Sequence, residues 1–166
     1  MVADGRAIAN FILDEAQRSN HPVTNLALQK LVFFCHAWHL VETGEPLVKH
    51  SFEAWQHGPV LQYLYSQFKE FDEHPITSRA KRLNRFTGVS EEVKDQLDNN
   101  TKERLRRVLN FYGRMRPWDL RELSHEPGGP WDKVYNHSGK VNPGMKIDNM
   151  LIRSFYSSMT PLNEVQ

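Results

Sequence analysis

Residues Leu28 to Val60 read LQKLVFFCHAWHLVETGEPLVKHSFEAWQHGPV and place two tryptophans, four histidines and the only cysteine on one helix and the segment after it. In the helix, Leu28, Leu31, Val32, Cys35 and His39 form one stripe, and Phe34, Trp38 and Val41 form a neighbouring one. A helix apolar over so much of its circumference has to be surrounded by other elements, so it is expected at the centre of the fold. Thr24 is its expected N-cap and Gly44 its C-terminal stop.

The other segments read as partners for that helix. Asp4 caps a first helix whose apolar positions Ile8, Phe11, Ile12 and Ala16 recur at helical spacing, with Asp14, Glu15 and Arg18 facing water. From Glu45 to His57 the pattern is extended, with a short strand expected at Phe52 to Trp55. Gly58-Pro59 then reads as a tight turn, with Pro59 opening a third helix that runs to about Asp72. His74 to Val89 holds Arg79, Lys81, Arg82 and Arg85 and no acidic residue, and reads as a solvated loop with room for a short hairpin. Helices are expected over Ser90–Leu97, Thr101–Gly113, Pro117–Ser124, Trp131–Tyr135 and Ile147–Ser158, the last with Ile147, Met150, Leu151, Ile152 and Phe155 inward. The fold class is therefore mainly α: a compact single domain of six to seven helices over residues 1–166, with at most a short β element near residues 48–56.

Composition removes several classes of function. With 21 Lys and Arg against 20 Asp and Glu, the chain has no global field for nucleic acid or an anionic membrane, and nucleic acid is not the expected partner. No apolar run is long enough to span a bilayer. One cysteine allows no intrachain disulfide, and the first residues lack the features of a signal peptide, so a cytoplasmic protein is expected.

Three chemistries deserve weighing against plain packing. His36 and His39, with His57, His125 or Cys35, offer metal-ligand chemistry, but no carboxylate stands at the spacing of a zinc helix such as HExxH. Cys35-His36 and Ser124-His125 offer nucleophile and base, yet adjacent helical residues point about 100° apart and do not form that hydrogen bond by themselves. Gly128-Gly129 is a turn without the remainder of a phosphate loop. The packing reading is preferred in each case, and no catalytic residue, metal or cofactor is expected.

The segments LQKLVFFCHAWHL (28–40), TGEPL (43–47), FEAWQHGPV (52–60), LYSQF (64–68), NFYG (110–113), LRELSHEPGGPW (120–131) and IRSFY (152–156) together resemble the Panacea, or SocA-like, antitoxin domain, a family that includes GepA-like phage-associated proteins. The match runs in order over about residues 5 to 158. Two positions depart from the commoner pattern: His57 stands where an aromatic residue is frequent, and Ser124 where threonine is frequent. The resemblance implies a compact helical domain that neutralises a cognate protein toxin by direct binding, in a type II toxin–antitoxin system whose toxin is encoded by the adjacent gene. An alternative that it also carries is a proteolytic adaptor delivering the toxin to a protease. A metal- or Cys-dependent enzyme is the remaining alternative, and a homodimer is compatible with all three.

On that reading the motif residues Gln29, Trp38, Trp55, His57, Gly58, Pro59, Tyr112, Gly113, His125 and Trp131 are a scaffold signature, with Trp38, Trp55, His57, Gly58-Pro59, His125 and Trp131 meeting in space. The toxin contacts are expected on exposed surface, from loop 74–89 and the arginine-rich face of helix 101–113: Arg79, Arg82, Arg104 and Arg107.

Overall fold

The longest helix occupies the centre. In a computed structural model, which describes residues 2–94, 96–137, 143–159 and 161, α1 (Gly5–Arg18) is capped by the Asp4 carboxylate, which accepts from the Arg6 N–H at 2.9 Å. Helix α2 (Asn25–Thr43) starts where the Thr24 hydroxyl accepts from the Ala27 N–H and stops at Gly44, whose φ of 76° suits a residue without a side chain. Every residue from Ala27 to Leu40 is buried. Helices α1, α4 (Asn99–Tyr112), α5 (Pro117–Ser124) and α7 (Asn149–Ser157) pack around it, and α6 (Pro130–Tyr135) lies against α7.

Aromatic rings join three of these helices. The Phe34 and Tyr112 rings stack at 4.1 Å, the Trp38 indole donates to the Tyr112 hydroxyl at 3.1 Å, and Tyr156 meets Phe33, Phe34 and Trp38 edge-on. The indole donor is thereby satisfied inside the core, as a buried tryptophan requires.

Two small antiparallel hairpins complete the described fold, which is otherwise helical as its patterning leads one to expect. The first pairs β1 (Glu53–Trp55) with β2 (Gly58–Val60), Trp55 opposite Gly58. This corrects the reading of Gly58-Pro59: Gln56 and His57 make the turn, and Pro59 lies within β2. The third helix consequently opens at Gln62, as α3 (Gln62–Gln67), and gives way to a 3₁₀ turn at Lys69–Phe71 rather than continuing to Asp72. The reason is tertiary. Val60 pairs with Glu53, and the Gln29 side chain on α2 accepts from the Leu61 N–H at 3.3 Å, which holds the chain extended where local sequence favoured a helix.

The second hairpin pairs β3 (Lys81–Leu83) with β4 (Ser90–Glu92), so the helix expected from Ser90 is absent. Lys81 stands opposite Glu92 and Arg82 opposite Glu91, pairings that favour the strand register. Asn10, buried on α1, fastens the hairpin's base: its amide donates to the Ala80 and Val93 carbonyls at 3.0 and 2.8 Å and accepts from the Ala80 N–H at 2.7 Å. An Asn10→Leu change leaves the buried Ala80 N–H and Val93 carbonyl without their partner, while the Ala80 carbonyl keeps the Val93 N–H at 3.0 Å. The change should cost about 3 kcal/mol, and hydrogen exchange across residues 81–92 should accelerate; protection equal to wild type would show that the clamp does not hold the hairpin.

The last helix begins at Asn149, two residues later than its pattern suggested, where the Asp148 carboxylate caps it. Ile152 and Tyr156 face the core, and Met150, two residues from Ile152 and so about 200° round the helix, is 80% exposed instead of inward.

Candidate binding site

The motif residues form two groups. In the first, the Trp131 indole donates to the Trp55 carbonyl at 2.7 Å, tying α6 to β1. The His125 ring stacks on Trp131 at 3.5 Å, and the Arg121 guanidinium donates to His57 Nδ1 at 3.4 Å while lying 4.4 Å from the Trp118 ring. The Gln29 amide donates to Asn25, whose own amide donates to the Tyr65 carbonyl. Gln29, Trp55, His57, Gly58, Pro59, His125 and Trp131 thus belong to one region, where α2, the first hairpin, α5 and α6 meet. Trp38 and Tyr112 belong to the second, the aromatic core, with Gly113 closing α4 beside them. Trp38 therefore does not join the residues it was expected to meet: it sits eight residues beyond Lys30, about 12 Å further along α2.

At the centre of the first group is a residue that stands in the motif LQKLVFFCHAWHL but not among the expected signature residues. Lys30 is fully buried, and its ammonium donates to the Pro59 carbonyl at 2.9 Å. None of the ion pairs among the described residues involves it. Burial, with the Arg121 charge nearby, lowers its pKa to about 7. Its sequence signals are its place in that motif and its position, a lysine on a helix with almost no solvent face.

His125 shares that environment. Burial first, then Arg121, Lys30 and His57, lower its pKa to about 4, and its Nε2 is buried without a partner among the described residues. Gly58 passes close by with φ at 115°, and a Cβ there would lie 2.5 Å from Lys30 Cε and 2.7 Å from Ser124 Oγ.

Above this group opens a pocket of about 830 Å³, with Trp55, Tyr65 and Trp118 in its walls and Gln29, Lys30 and His57 beside them. Its size and its mixture of aromatic walls with a few polar groups fall within the range of ligand sites.

The residues considered for catalysis or metal binding are engaged elsewhere. His36 Nδ1 accepts from the Val48 N–H at 3.2 Å, which makes Nε2 the donor to the Asn149 side chain at 2.8 Å. His39 Nδ1 faces Arg104 at 3.4 Å. Burial raises the Cys35 thiol far above its ordinary range, so it is not a thiolate nucleophile. The Ser124 hydroxyl donates to the Arg121 carbonyl at 2.7 Å. Among the described residues, no three His, Cys, Asp or Glu side chains are grouped to hold a metal ion, and no helix is long and apolar enough to cross a membrane.

The four arginines expected on open surface divide into pairs. Arg79 and Arg104 have side chains only 16% and 17% exposed: Arg79 pairs with Asp14 on α1 at 2.8 Å, and Arg104 pairs with Glu42 on α2 at 2.7 Å. The expectation of an open face is corrected for these two, because intramolecular carboxylates draw them onto the neighbouring helices. Arg82 and Arg107 remain largely open, although Arg107 also reaches Glu42 at 2.9 Å.

Sequence reasoning also missed the apolar tip of the second hairpin. Leu83, Phe86 and Val89 are exposed, Phe86 completely. The tip is nevertheless ordered by Asn84, whose side chain accepts from the Phe86 and Thr87 N–H groups while its backbone pairs with Val89 and Gly88.

The family described as antitoxin SocA-like, Panacea domain matches residues 28–132, a span that contains the whole first group and both hairpins. The chain belongs to the SocA-like Panacea family. A relative named Antitoxin SocA, from Caulobacter vibrioides, is 39% identical over 151 residues, covering 90% of this chain and 80% of the relative. No solved structure is significantly similar. In this Panacea domain the motif residues are chiefly buried or hydrogen-bonded within the chain.

Proposed function

We propose that this chain is an antitoxin that neutralises a cognate protein toxin by direct binding, as one partner of a type II pair whose toxin is encoded by the adjacent gene. The observation that carries the reading is the 39% identity, across 90% of the chain, with a protein named as an antitoxin. Neutralisation by binding calls for an exposed and preorganised surface rather than reacting groups. The second hairpin supplies one: a base fastened by Asn10 and a tip of Leu83, Phe86 and Val89 held in shape by Asn84. Arg85 stands at that tip with no acidic residue between positions 83 and 89, and Arg82 beside it, though opposite Glu91 and 3.6 Å from Asp4, is largely exposed, which suits an apolar cleft with an acidic rim on the toxin. Arg82 and Arg107 are the open members of the four expected arginine contacts; Arg79 and Arg104 act by holding the surfaces in place.

Co-expression with the neighbouring gene tests the reading. The neighbour should arrest growth alone, and this chain should restore growth and co-purify with it. A harmless neighbour, or rescue without a complex, would sink direct neutralisation, and rescue that vanishes in a protease-deficient host would favour the adaptor mechanism instead. A Phe86→Ala variant should keep the wild-type melting temperature, because the ring touches solvent, while toxin affinity falls about 30-fold or more, as for an interface anchor. Unchanged affinity would remove the hairpin tip from the interface.

A further inference from the structure

The pocket between the start of α2 and the start of α5 has a field that its aromatic walls do not explain. Two helix N-termini border it: Thr24 and Asn25 from α2, and Arg116 and Pro117 from α5, where no side chain caps the first turn. Helix N-termini carry partial positive charge. Lys30 contributes to the wall, shielded from water and with one carbonyl as its hydrogen-bond acceptor among the described residues; His57 lies at the edge, as does Arg116, whose charge is taken up by its pair with Asp119 at 2.8 Å. The carboxylates bordering the pocket, Asp72 and Glu73, are exposed on the segment after the 3₁₀ turn, where water screens them.

Charging a buried lysine that has no carboxylate beside it among the described residues weakens a fold, and an apolar residue of similar length would fill the same space at less cost. The arrangement is accounted for if a negative group arrives from outside. We propose that this pocket binds a carboxylate carried on an apolar or aromatic group, the ring lying between Trp55 and Trp118 and the charge facing the α2 N-terminus and Lys30. The carboxylate comes from an acidic side chain of a protein partner or from a small organic acid, and both present the same chemistry to these walls. The inference does not rest on toxin binding, since the hairpin tip and the pocket are formed by different elements.

Phenylacetate and its neutral counterpart phenylacetamide are the probes, followed by tryptophan fluorescence, and the peptide acetyl-Phe-Asp-Phe-amide distinguishes the sources. Phenylacetate should produce a saturable change at a concentration at least about tenfold lower than phenylacetamide. In a Lys30→Met variant that preference should shrink to about twofold or less while thermal stability stays at or above wild type. If the peptide binds more tightly than phenylacetate, the ligand is a partner's acidic segment; if phenylacetate alone binds, it is a small organic acid. Equal affinity for the acid and the amide, no saturable change with any probe, or full carboxylate preference retained in the Lys30→Met variant would each overturn the proposal. A Lys30→Arg variant covers the case in which the methionine variant does not fold: it should keep the preference for the acid, and losing it would count against a site that reads charge.

Discussion

Replacing Gly58 by alanine should lower the melting temperature by about 10 °C. Two effects add. The backbone at Gly58 has φ of 115°, where an L side chain is strained by roughly 1–3 kcal/mol. The new methyl group would also stand 2.5 Å from Lys30 Cε and 2.7 Å from Ser124 Oγ. Ser124 can rotate its hydroxyl away, at the loss of its bond to the Arg121 carbonyl. Lys30 has no such freedom: it is fully buried and its ammonium is tied to the carbonyl of the next residue, Pro59. Strain and overpacking together come to about 3 kcal/mol or more, a large share of the stability of an ordinary domain. The damage should be local first, because Trp131 reads the same hairpin through the Trp55 carbonyl. A thermal melt with hydrogen exchange on β1 and β2 checks this, and a melting point within about 2 °C of wild type would mean that the hairpin accommodates the methyl group.

Mild acid should unfold the protein before its carboxylates titrate. His36 is buried between α2 and α7, and burial lowers its pKa from 6.5 to about 4. His39 is shifted to about 4 as well, by burial and by the Arg104 charge. Both rings are therefore neutral in the folded protein and protonate near pH 6.5 once it unfolds. Above pH 6.5 these two rings gain no proton in either state and their contribution is fully present; Lys30, whose pKa burial lowers from 10.5 to about 7, acts in the same direction over a separate, more alkaline window. As the pH falls from 6.5 towards 4 the unfolded chain takes up protons first and the balance moves towards it. His36 alone accounts for about 3 kcal/mol over that window, and His39, closer to the surface, adds to it in the same direction. His125 shifts the same way. Urea unfolding at pH 7.5, 6, 5 and 4 reads the effect, and most of the loss should occur above pH 4.5. A His36→Gln variant, which keeps a polar group facing Val48 and Asn149, should be less stable at neutral pH but flatter with pH. Constant stability between pH 7 and pH 5 would refute the neutral-histidine account.

These two results concern residues that the sequence displayed with unequal clarity. Asp4, Thr24 and Gly44 lie at helix ends where they were expected, because a cap bonds to backbone two or three residues away, or closes the turn beside it, and so shows in the local pattern. Gly58-Pro59 was visible as a break, but its role in β2 rather than in the turn depends on Glu53 and on Gln29, the latter 32 residues from Leu61. The strand at Ser90 is similar, since its partner and the Asn10 clamp lie on other elements. Arg79 and Arg104 looked like open surface because a charge pattern gives no sign of a carboxylate waiting on a neighbouring helix.

Residues 28–60 mark the line between what was legible and what was not. By itself the sequence determined that this segment opens with a central helix, where that helix starts and stops, that the domain is mainly α, and which family it resembles; these follow from helical periodicity, caps and motifs, all of short range. Only the tertiary structure decided that Trp38 belongs with Tyr112 while Trp55 belongs with Trp131, that Lys30 is buried against Pro59, and that an apolar hairpin tip and an aromatic pocket stand open. The physical reason is that a hydrogen bond or a ring contact depends on distance in space, and these partners lie between 29 and 76 residues apart along the chain.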